Sequence, residues 1–189
     1  MLVSICGSQG SGKSTTVAAL LERGGCRTID RKTSRSILEE WGVTLSEVNN
    51  DRPLTIKFQD EILKRKLHDD QEALTDPNTV WYTERTFADL FVYALVAIGK
   101  DNEYSEWMDE YFNRCKVAQR IYDRVFYLRG GMFEVKHDGV RGSNQHYSKL
   151  VDLTMEHYVQ EMTEPDVIEF VESSTVAGRA DWIQNALNK

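Results

Sequence analysis

Cysteine is scarce in this chain. Three occur among 189 residues, Cys6, Cys26 and Cys115. An odd count without paired spacing argues against a disulfide framework and for a reducing cytoplasm. Cys6 and Cys26 are expected to act as small buried hydrophobes. The four histidines, His68, His137, His146 and His157, show no ligand spacing with cysteine, which argues against zinc. No apolar run reaches the length of a membrane span. No cleavable leader is expected, because strand-like residues start at the N-terminus. Repeats and low-complexity tracts are missing too. Positive charge is absent from Leu150 to Gly178, where Asp152, Glu156, Glu161, Glu164, Asp166, Glu169 and Glu172 fall. Those seven acids account for the whole net charge of −7. An acidic total disfavours binding to polyanions.

What is present suits one α/β domain over 1–189, with 41% hydrophobic and 28% charged residues. Gly7-Ser8-Gln9-Gly10-Ser11-Gly12-Lys13-Ser14 fits G-x-x-x-x-G-K-[ST], the phosphate-binding loop. Triphosphate oxygens need a ring of backbone N–H donors, and glycine lets the chain curl that closely. Lys13 is spaced to reach the β- and γ-phosphates, and the Ser14 hydroxyl to hold Mg²⁺. Leu2 to Cys6 reads as a strand before the loop. Thr15 to Arg23 reads as a helix after it, its positive end aimed at the same anion. Gly7, Gln9, Gly10, Ser11, Gly12, Lys13, Ser14 and Thr15 are therefore the candidate binders of ATP phosphates.

The remaining chain alternates strand and helix. Strands are expected at Cys26 to Asp30, Thr79 to Thr83, Arg124 to Leu128 and Val167 to Val171. Helices are expected at Thr33 to Trp41, Pro53 to Leu74, after Thr83 through Ile98, Glu103 to Arg120, Asn144 to Met162 and Ala177 to Asn188. Val43 to Arg52 reads as a loop or short helix. This alternation implies right-handed crossovers and a parallel sheet. In such sheets ligands sit beyond the carboxyl ends of the strands.

Charged residues fall at those ends. Glu84 follows the third strand, placed to hold Mg²⁺ or face an acceptor hydroxyl. Arg85 beside it is a candidate clamp for phosphate oxygens. Asp30 ends the second strand and is the candidate base. Arg31, Lys32 and Arg35 follow it as candidate binders of substrate phosphate. Arg129 and Arg141 bracket a Gly-rich stretch, 129–143, expected to close as a lid and bring arginines to the transferring group. Asp138 is a candidate to orient Arg141. Most aromatics are expected in the core, with Phe87 or Tyr147 as candidates to stack on a base.

With these residues in place, the chain resembles the P-loop kinases of small molecules over nearly its full length. Glu84-Arg85-Thr86, then Asp89 and Tyr93, is similar to the Glu-Arg-Ser segment of deoxynucleoside kinases, with Thr86 in place of serine. The resemblance implies that Glu84 binds magnesium and that Arg85 contacts phosphates and the reacting hydroxyl. It also maps the usual base onto Asp30, an Asp where those enzymes carry Glu. The phosphate loop, "VFYL", "DGVR" and "AGRADWI" also resemble the ATPase-like family that contains nicotinamide riboside kinases, which places Arg179 near the adenine. The fold implied is a three-layer P-loop NTPase α/β fold, a five-stranded parallel sheet in the order 2-3-1-4-5 flanked by helices, with a lid loop after the fourth strand.

Three functions stay open at this level. The first is ATP- and Mg²⁺-dependent transfer to a nucleoside, nucleotide or related metabolite. The second is a kinase acting on nucleic acid, at a 5′ end or a hydroxymethylated pyrimidine in DNA, since basic patches flank the expected cleft. The third is an ATPase switch or motor; the lack of an NKxD motif argues against a GTPase. A nucleoside-like substrate, DNA and a second copy of the chain are the partners considered.

Overall fold

A computed structural model describes residues 1–29, 33–130 and 144–188. Five strands, β1 (Leu2–Cys6), β2 (Cys26–Thr28), β3 (Val80–Glu84), β4 (Arg124–Leu128) and β5 (Ile168–Val171), form one parallel sheet in the order β2-β3-β1-β4-β5. The helices are α1 (Lys13–Glu22), α2 (Thr33–Trp41), α3 (Leu45–Asn50), α4 (Arg52–Ala73), α5 (Phe87–Ile98), α6 (Ser105–Gln119), α7 (Gln145–Met162) and α8 (Val176–Leu187). This is the expected three-layer α/β architecture.

The central strands are apolar on both faces because both faces are covered. Side chains alternate across β1, so Leu2 and Cys6 enter one core and Val3 and Ile5 the other. In β4, Val125 and Tyr127 join the first core, Phe126 and Leu128 the second. The larger core also takes residues from α4, α5, α6 and α7. The smaller one takes residues from α1 and α8, which pack together. The sequence of α5, FADLFVYALVAI, is apolar almost all round, and it packs against α4, α6 and α7. Burial raises the pKa of the Cys6 thiol and pushes that of Cys115 up to about 12, which keeps both protonated at neutral pH.

Several boundaries differ from the sequence reading, each for a local reason. Helix α1 begins at Lys13, earlier than Thr15, because Gly12 at φ 84° serves as its N-cap. Val43 to Arg52 contains α3, opened by a reciprocal cap in which Thr44 and Glu47 bind each other's backbone N–H. One turn of 3-10 helix, Asn102–Tyr104, precedes α6. Strand β2 ends at Thr28, although the Ile29 N–H still donates to the Tyr82 carbonyl at 3.2 Å. Strand β3 runs one residue further than expected and includes Glu84, opposite Ile5. Among the described residues, no helix is long and apolar enough to cross a membrane.

Candidate active site

Strands β1, β3 and β4 bring Cys6, Glu84 and Leu128 to the carboxyl end of the sheet, where the phosphate loop departs. Gly7 takes the first step of that loop at φ 134°. A Cβ there would lie 2.1 Å from the Leu128 carbonyl oxygen, so only glycine lets the loop pass this close to β4. No side chain among the described residues caps the start of α1. Its first N–H groups are thus left for an anion.

Lys13 is half-buried and folds back over the loop. Its Nζ donates to the Gly7 and Ser8 carbonyls, each at 2.8 Å, and to Ser11 Oγ at 3.3 Å. Desolvation, with the positive charge of Arg85 as a second cause, lowers its pKa to about 8. Ser14 Oγ donates to Glu84 Oε2 at 2.8 Å. A hydroxyl and a carboxylate therefore meet at the mouth of the loop, an all-oxygen set that suits Mg²⁺.

Arg85 is the only described non-glycine residue with positive φ, at 68°. That conformation costs about 1 kcal/mol. Two bonds to β1 hold it: the Arg85 N–H donates to the Ile5 carbonyl at 2.9 Å, and Ser4 Oγ donates to the Arg85 carbonyl at 2.9 Å. The guanidinium lies 5.0 Å from the Tyr93 ring centre. The turn carries the chain from β3 into α5, where Thr86 and Asp89 form a buried reciprocal cap. Sequence reasoning passed over Ser4; its one visible signal is a hydroxyl in an otherwise apolar strand.

The other expected residues fall into three groups. Arg179 is fully buried and backs the phosphate loop, with Nη1 donating to the Ser11 carbonyl and Nε to the Ser173 carbonyl at 2.9 Å. Arg129 sits past β4 and pairs with Glu156 of α7 at 2.9 Å. Arg35 is exposed on the first turn of α2. Phe87, expected against a base, is fully buried and stacks on Tyr122 with ring centres 5.6 Å apart. Lys66 of α4 also lies over its ring, 5.3 Å from the centre, so it is a core residue here and offers no open face. Tyr147, the other aromatic candidate, is 43% exposed on α7. Asp30, Arg31, Lys32, Asp138 and Arg141, with nearly all of the expected lid, lie outside the described residues.

No curated protein matches the sequence. Among solved structures, the NadR protein in complex with NR gives a TM-score of 0.75 at 14% identity, over 99% of this chain and 50% of that one. This chain thus spans half the length of that protein. Deoxyadenosine kinase from M. mycoides, with products dCMP and a flexible dCDP bound, gives 0.72 at 18% identity over 100% of this chain and 99% of that one. At such identities the likeness establishes the fold. A family model described as AAA domain matches residues 2–173. With a phosphate loop, a hydroxyl–carboxylate pair at its mouth and a match over most of its length, the chain belongs to the AAA-domain family of P-loop proteins.

Proposed function

We propose that this protein is an ATP-dependent phosphotransferase that moves the γ-phosphoryl group to a hydroxyl or phosphate of a nucleoside, nucleotide or related metabolite. One observation carries the reading: Ser14 and Glu84 meet at 2.8 Å at the loop mouth, and the next residue, Arg85, is held in a strained turn with its guanidinium exposed. Strain kept at one residue of a turn is a mark of a working site. The fold shared with NadR and deoxyadenosine kinase agrees with the reading.

The uncapped start of α1 and Lys13 would take the triphosphate, with Lys13 exchanging the Gly7 and Ser8 carbonyls for phosphate oxygens. Ser14 and Glu84 would hold Mg²⁺, which when bound offsets the phosphate charge. The acceptor oxygen forms a bond to the γ-phosphorus as the β–γ bridging P–O bond breaks and ADP leaves. Its proton would pass to the carboxylate of Asp30, the residue after Ile29 in sequence. Arg85 and Arg141 would stabilise charge on the transferring group, with Arg129 near the triphosphate. Arg31 and Arg35 would bind acceptor phosphate. Arg179 serves ATP indirectly, through the Ser11 carbonyl.

The test offers labelled ATP with free nucleosides, mononucleotides and hydroxymethylated DNA in parallel. Transfer to a nucleoside or mononucleotide is expected. Transfer to DNA alone, or hydrolysis without any acceptor, would overturn the reading.

A further inference from the structure

We infer that Gln119, the last residue of α6, is a positioning residue that sets Glu84 and Arg85 at the height Ser14 requires; the inference rests on the phosphotransferase reading. Gln119 is 1% exposed and reaches across to the start of α5. Its Oε1 accepts the Phe87 N–H at 3.0 Å and the Ala88 N–H at 3.2 Å. Its Nε2 donates to Thr163 Oγ1 at 2.9 Å, at the buried C-cap of α7. The two N–H partners dictate which amide atom faces α5, because an NH₂ group cannot accept them.

Phe87 and Ala88 are the first two residues of α5, whose N–H groups have no partner within the helix. Thr86 serves the third, at Asp89. Residues 84–88 are therefore tied from two sides. Strand β1 holds Arg85 through Ile5 and Ser4, and α6 holds Phe87 and Ala88 through Gln119. Between these ties stands the left-handed Arg85. A shift of α5 along its axis is passed back through that turn to Glu84, the last residue of β3. The shift would turn Glu84 away from Ser14. The same bonds close the start of α5 to anions, whereas no side chain among the described residues caps that of α1.

The experiment follows the metal requirement in the full chain. Gln119→Leu removes the acceptor, Gln119→Asn withdraws it by one methylene while staying polar, and Gln119→Glu keeps it. With Mn²⁺ and the non-hydrolysable analogue AMP-PNP, the Leu and Asn variants should bind the metal about 10-fold more weakly. Metal-free AMP-PNP affinity should stay within about twofold, because the phosphate loop is untouched. Gln119→Glu should restore metal binding. If Gln119→Leu does not fold, Gln119→Asn carries the test. Unchanged metal affinity in a folded variant overturns the inference, as does a parallel loss of metal-free binding, which would mark a general collapse. Because the readout is binding, it still judges Gln119 if wild-type protein transfers no phosphate, a result that would count against the phosphotransferase reading instead.

Discussion

Ser14 Oγ and Glu84 Oε2 stand 2.8 Å apart although the two residues are 70 positions apart in the chain. Neither could be placed without the sheet. Pairing of β1 with β3 sets Ile5 opposite Glu84, and the phosphate loop then returns Ser14 over that strand end. The contact is a hydroxyl donating to a carboxylate; with the hydroxyl proton turned away, both oxygens are free to ligate one divalent cation.

Under the proposed function, removal of either group should weaken Mg²⁺ binding. Ser14→Ala and Glu84→Gln are each expected to raise the Mg²⁺ concentration for half-maximal transfer about 10-fold or more. The double variant should cost less than the two single losses combined, because the pair acts as a unit. Full additivity in a titration of rate against Mg²⁺ would separate the residues into independent roles.

Lys13→Ala should cut transfer by about 100-fold or more, as loss of a charge on the transferring group does. The fold should survive, since among the described residues the ammonium donates to groups of its own loop. Circular dichroism and steady-state rates check the two halves separately. Retained transfer in a folded variant contradicts the mechanism.

The pKa of about 8 at Lys13 gives a pH signature. It lies below the ordinary 10.5, so between those values the unfolded chain holds a proton that the folded chain has lost. Protonation of Lys13 therefore costs stability below pH 8, and that cost fades as pH rises toward 10.5. A bound triphosphate favours the charged form. Binding near pH 8.5 should take up a proton, and affinity should fall as pH rises further. Calorimetry in two buffers of different ionisation enthalpy reads the uptake; Lys13→Met should abolish it.

Arg179→Met should leave the Ser11 and Ser173 carbonyls without their guanidinium partner. The expected loss is about 1–3 kcal/mol of stability in denaturant unfolding. ATP and ADP affinities should fall together, since the residue supports the loop and not the γ-phosphate. A loss confined to ATP would point to a direct contact with the transferring group.

Local chemistry made much of this fold readable. The strand–loop–helix start, α2 and β4 follow from short-range signals: apolar alternation, helical spacing and glycine. Glu84 and Arg85 could be named as candidates because ligands gather at the carboxyl ends of parallel strands, and the structure brings Glu84 to Ser14. Phe87 shows where that logic ends. Its position in sequence puts it beside the site, but packing against Tyr122 seals it in the core.

The order of residues alone determined the phosphate loop, because its N–H cradle is built by neighbours in the chain. It also determined the alternation of strand and helix, since periodicity is local. Tertiary structure decided which polar groups meet: Ser14 with Glu84, Arg179 with Ser11, Gln119 with the start of α5. Those partners lie 31 to 168 residues apart. A hydrogen bond acts only within a few ångströms, so only the packed sheet and its helices could choose them.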